Sequence, residues 1–172
     1  MKKKRRKIIK KIKNVLFVCM GNTARSPAAE YLAKGLKQKY NEQLKEIKFD
    51  SAGFFNAFSY MQPESRNYLK SKGINPSDFL PKVINKNLLD QFDLILTMEQ
   101  SHSTDIIKNY NDLKDIGKKT FTLKEFCGDI NDIDIIDPYY TNSSVYMEIL
   151  EIIDKYIEKA ILKIIEINKS AE

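Results

Sequence analysis

Short apolar runs alternate along this chain with stretches whose apolar residues recur at helical spacing. Val15-Leu16-Phe17-Val18-Cys19 is a run of β-formers, the length of one buried strand. Runs of the same kind sit at 47–51, 93–98 and 118–121. Between the first two, Ala28, Tyr31, Leu32, Gly35 and Leu36 predict a helix over 27–40. Pro63 opens a second helix that Gly73 stops. Residues 85–91 read as a short capped helix, and Ser101 as the cap of one reaching about Tyr110. Residues 122–126 read as a turn and 129–136 as an irregular acidic stretch. A last helix starts near Asn142 or Ser143 and carries an apolar stripe from Val145 to Ile165. Strands alternating with helices predict an α/β fold, a four-stranded parallel sheet with helices on both faces.

Composition places this pattern in one globular domain of 172 residues, 42% hydrophobic and 30% charged. Charge then divides the chain. Residues 2–13 hold nine Lys or Arg and no acid, and without them 20 basic residues face 23 acidic ones. The net +6 therefore belongs to a basic tail, 1–13, and the domain is expected over 14–172. Such a tail reads first as a solvated, disordered arm. Attachment to anionic lipid or nucleic acid is the functional alternative. No stretch is long enough to span a membrane, and no cleavage-site pattern follows the tail. Two cysteines far apart make no disulfide framework, which suits a reduced, cytoplasmic setting.

The chemistry concentrates after the first strand, in Cys19-Met20-Gly21-Asn22-Thr23-Ala24-Arg25-Ser26-Pro27. Gly21 and Asn22 tolerate the backbone of a sharp turn, Ser26 reads as an N-cap and Pro27 as a first helical residue. Amides in a loop feeding a helix lack intrahelical partners and bind anions. Arg25 adds a planar fork that matches phosphate oxygens. A thiol at the floor of such a cup would be held as the nucleophilic thiolate. Further along, Pro138 restricts Asp137 to extended backbone, suiting a carboxylate projected from a loop to protonate a leaving oxygen. Tyr139, Tyr140 and the loop aromatics around Phe55 could wall a slot. His102, the single histidine, reads as a surface residue in a first helical turn, and Cys127 as a packing cysteine without metal-spaced neighbours.

These residues resemble the low-molecular-weight protein tyrosine phosphatases. The likeness rests on Val18–Thr23, Arg25-Ser26-Pro27 and Ala29-Glu30, then on Ser51-Ala52-Gly53, 92–96 and Asp137-Pro138-Tyr139-Tyr140. It implies a flavodoxin-like strand order and a metal-free, cofactor-free monomer acting on phosphorylated proteins. Cys19 would be nucleophile, Arg25 and the amides of 20–26 the phosphate clamp, Asp137 the general acid, and Asn22, Ser26 and Ser51 loop support. Three departures stand out. Asp78 lies near where many relatives carry a supporting histidine. Ala24 replaces a second cysteine that protects the nucleophile by disulfide formation, so peroxide should inactivate Cys19 without local rescue. Thr23 sits where tyrosine-specific members usually carry Ile, a resemblance to the bacterial protein-arginine phosphatases of the same family. Phosphotyrosine is the default substrate and phosphoarginine the alternative. An arsenate reductase, which needs more cysteines than remain here, and a non-catalytic phosphate-binding module stay open as other classes.

Overall fold

The computed structural model describes residues 10–172. Of the expected tail, 1–13, residues 1–9 lie outside them. Four strands form one sheet: β1 (Asn14–Cys19), β2 (Lys48–Gly53), β3 (Leu94–Thr97) and β4 (Thr120–Thr122). Their order is β2-β1-β3-β4 and all neighbours are parallel, as the alternation predicts. The helices are α1 (Arg25–Gly35), α2 (Asn41–Leu44), α3 (Pro63–Ser71), α4 (Lys86–Asp90), α5 (Gln100–Asn109), α6 (Ile116–Lys119), α7 (Leu123–Phe126) and α8 (Ser143–Ser170).

Side-chain alternation in β1 assigns the two faces. Val15, Phe17 and Cys19 join the larger core with α1, α3 and α8, whereas Leu16 and Val18 join the core under α4, α5 and α6. β1 is thus covered on both sides, which explains its unbroken apolar run. Chain order reverses at β1, with β2 on one flank and β3 on the other. Open α/β sheets leave a crevice at that point, outside the carboxyl ends of the strands. The loop after Cys19 fills it.

Four expected boundaries move. Helix α1 stops at Gly35 because the chain tightens into Lys37 N–H to Lys34 carbonyl and Gln38 N–H to Gly35 carbonyl bonds (3.1 and 3.3 Å). Of the stretch 122–126, Leu123–Phe126 is helical, since Thr122 and Glu125 form a reciprocal capping box. β4 starts at Thr120, the preceding residues forming α6. Charge assigns Ile12 to the tail, yet its side chain is 1% exposed. The Ile12 amide donates to Asn168 Oδ1 (2.7 Å) and its carbonyl accepts from Asn168 Nδ2 (2.8 Å). The Lys13 amide donates to Asp93 Oδ2 (2.9 Å), so both residues pack with the domain.

Asn168→Ala leaves both buried backbone groups of Ile12 unpaired. It is expected to cost about 1–3 kcal/mol, read as a lowered Tm, with turnover unchanged.

Candidate active site

The loop between β1 and α1 is shaped by one side chain. Asn22 has φ of 51° and is fully buried. Its amide hydrogens donate to Ser26 Oγ (3.0 Å) and Ser51 Oγ (2.9 Å), and its Oδ1 accepts from the Lys82 amide (2.9 Å). Ser51 Oγ in turn donates to Glu30 Oε2 (2.5 Å). Glu30 is buried, and desolvation raises its carboxyl above the usual range despite the opposing bond from Lys34. Asp78, in the region of the departure noted above, serves elsewhere and accepts from Tyr31 Oη (2.6 Å).

The loop carbonyls face away from the cup. Met20 O accepts from Phe54 N–H (2.7 Å), Thr23 O from Gln62 N–H (2.8 Å) and Ala24 O from Ser65 Oγ (3.1 Å). Peptide planarity turns the following amides, those of Gly21, Ala24 and Arg25, to the opposite side. Gly53 is what lets β2 come this close. A Cβ there would lie 2.7 Å from the Asn22 nitrogen and 2.9 Å from both the Gly21 carbonyl carbon and the Met20 oxygen.

Cys19 Sγ lies 2.9 Å from Ser26 Oγ. Ser26 already accepts from Asn22, and its one hydrogen has the sulfur as its nearer acceptor, the Ala52 carbonyl being 3.5 Å away. This corrects the expected N-cap: α1 begins at Arg25 with no side-chain cap, Ser26 lies within it, and the Ser26 oxygen accepts from Asn22 instead of a helix amide. Arg25 is 2% exposed. Its Nη1 donates to Glu99 Oε1 and to the Ile135 carbonyl (2.7 Å for the latter), and its Nη2 lies 3.5 Å from Asp137 Oδ2. Asp137 is half-exposed, and its Oδ1 accepts from the Tyr139 amide (3.1 Å).

Cys19, Met20, Gly21, Thr23, Ala24, Arg25, Phe55, Asp137, Tyr139 and Tyr140 all line one cavity of about 390 Å³, joined by Ala57, Phe58 and Gln62. Asn22, Ser26 and Ser51 lie fully buried outside that lining. Aromatic packing joins the walls: Phe58 meets Tyr139 at 5.8 Å between centroids, and Tyr139 meets Tyr140 edge-on at 4.6 Å. Phe54 instead turns inward onto His102, with centroids 5.5 Å apart. His102 is 1% exposed, against the expectation of a surface residue, because Phe54 and the Glu99 side cover the first turn of α5. Glu99 belongs to no motif in the sequence. Its position just after β3, at the carboxyl end of the sheet, is the signal that would have found it.

The model for low molecular weight phosphotyrosine protein phosphatases matches residues 14–171. The chain belongs to that family. The phosphatase is 35% identical over 150 residues to a protein-arginine-phosphatase of Geobacillus stearothermophilus, covering 84% of this chain and 94% of the relative. It is 36% identical over 137 residues to the low molecular weight protein-tyrosine-phosphatase Ptp of Acinetobacter johnsonii, covering 79% and 87%. The crystal structure of the low molecular weight protein tyrosine phosphatase from T. tengcongensis superposes with a TM-score of 0.77 at 35% identity, over 88% of this chain and 99% of that one. Membership makes the phosphatase a hydrolase of phosphoric monoesters. None of its described helices is long and apolar enough to cross a membrane.

Gly53→Ala drives a Cβ into loop backbone that cannot yield. The variant is expected to lose about 1–3 kcal/mol of stability. Its nitrophenyl phosphate turnover, measured well below its melting temperature, should fall as well.

Proposed function

We propose that the phosphatase hydrolyses phosphotyrosine in proteins through a phosphocysteine intermediate, with Cys19 as nucleophile, Arg25 as clamp and Asp137 as acid and base. One observation carries this reading: Cys19, the outward edge of Arg25 and Asp137 face a single cavity whose walls are aromatic. The loop amides and Arg25 hold the three non-bridging oxygens, and the Cys19 thiolate attacks phosphorus. The phosphorus–oxygen bond to the substrate breaks as Asp137 gives its proton to the departing phenolate. Asp137, now a carboxylate, takes a proton from a water that attacks the phosphocysteine. The Ser26 hydroxyl steadies the sulfur as it leaves, and phosphate is released. Amide hydrogens and the guanidinium supply the charge stabilisation in this scheme. The cytoplasm, where thiols stay reduced, is the setting that suits it.

Thr23 favours the alternative, phosphoarginine. It is 6% exposed and lines the cavity, where its hydroxyl could meet a guanidinium leaving group. Tyr139 and Tyr140 favour a flat phenyl ring, which stacks on aromatic walls. An arsenate-reducing relay finds little support. Cys127, the other cysteine, bonds the Tyr156 carbonyl (3.4 Å), and burial pushes its thiol up to about 12.

Cys19→Ser is expected to bind phosphate with no turnover. Asp137→Ala should slow phenyl phosphate by about 10²–10⁴-fold, while nitrophenyl phosphate, with its better leaving group, is affected far less. Equal losses on both would remove Asp137 as the acid. Wild-type kcat/KM on phosphotyrosine and phosphoarginine peptides decides the substrate. If phosphoarginine wins, Thr23→Ile should reverse the preference; if phosphotyrosine wins, that variant should retain it.

A further inference from the structure

His102 is a buried ionisable group that the mechanism above does not use. Its Nε2 lies 3.9 Å from Glu99 Oε1, the oxygen that accepts from Arg25 Nη1. Its Nδ1 has no hydrogen-bond partner in the structure. A buried nitrogen left unpaired costs stability, so its place here calls for a reason. The charged groups that act on the ring most strongly are Arg25 at the start of α1, Glu99 just before α5, Asp105 on α5 and Asp134 from the segment before the acid loop, while Phe54 presents an uncharged face. Desolvation first, and then the Arg25 charge, hold the imidazole below its ordinary range, so it is neutral in the empty enzyme at neutral pH.

We infer that His102 is a positioning residue, which backs the Glu99 carboxylate against Arg25 and takes up a proton when a doubly charged oxyanion fills the cup. The inference rests on the cup being the oxyanion site. A bound dianion offsets the guanidinium charge that opposes an imidazolium. The carboxylates of Glu99, Asp105 and Asp134, which favour the imidazolium, then act on the ring with less opposition. Linkage makes the effect reciprocal, so protonation of His102 tightens oxyanion binding. The same sign bears on the empty enzyme. A histidine held below its unfolded value contributes stability above about pH 6.5, and that contribution is lost as pH falls through and below this value. A bound oxyanion should reduce the loss.

The single histidine makes the test direct. The imidazole signals of tag-free enzyme are followed by NMR from pH 4.5 to 8, as an experimental range of roughly two units either side of the ordinary histidine value, with and without saturating inorganic sulfate, which stays doubly charged throughout. The midpoint is expected to lie below the ordinary value without sulfate and to rise by about one unit with it. Sulfate that binds, moving the loop amide signals, without moving this midpoint overturns the inference alone. Sulfate that fails to bind overturns the cup's assignment as well. Two variants separate positioning from packing. His102→Leu should melt no lower than wild type yet raise the KM for nitrophenyl phosphate about tenfold, because Arg25 is less well held. His102→Gln, which keeps a donor toward Glu99, should restore KM but not the steeper gain in sulfate affinity that wild type shows on acidification. Unchanged KM in a folded His102→Leu protein would also overturn the inference.

Discussion

A guanidinium that is 2% exposed must be neutralised where it stands, and the site is organised around that demand on Arg25. Removing one partner from a buried ion pair costs about 3–5 kcal/mol, because the remaining charge is stranded. The position adds to the difficulty, since the first turn of a helix is its positive end. Three groups from two distant segments answer together: Glu99 after β3, and the Ile135 carbonyl and Asp137 from the stretch before α8. The segment holding Ile135 is itself tied down, with the Ile135 amide on the Met98 carbonyl (2.8 Å) and Asp134 accepting from the Gln100 amide (2.7 Å). The cation that would grip substrate therefore also gathers the acid loop over the cup.

A second constraint acts on the sulfur side. Asn22 supplies both amide hydrogens to hydroxyls, one of which faces Cys19 while the other faces Glu30. Each hydroxyl then has a single hydrogen to spend in one direction, so the polarity of the network is set by the one side chain that cannot reverse without breaking its bond from Lys82. With Asp78 turned to Tyr31, the loop is held by this network through Ser51 and the Lys82 backbone.

Much of this was legible in the chain because local and long-range preferences agree there. The run Val15–Cys19 looks like a doubly covered strand, and it is one. Gly21-Asn22 announces the turn, and Asn22 takes a φ of 51° there. What was not legible depends on partners distant in sequence. Ser26 has the chemistry of a cap, and only in the folded loop is its oxygen taken by Asn22 and its hydrogen turned to the sulfur. His102 looks polar and exposed until Phe54, 48 residues earlier in number, folds over it. Ile12 sits among lysines, so charge masks the one residue that the Asn168 clasp buries.

That clasp joins the two ends of the described chain at the foot of the sheet, where β1 begins, whereas Cys19 lies at the head, where β1 finishes. The enzyme thus has a heel and a mouth on opposite poles. Whatever grips Lys10 or Lys11 takes hold of the heel and leaves the mouth uncovered.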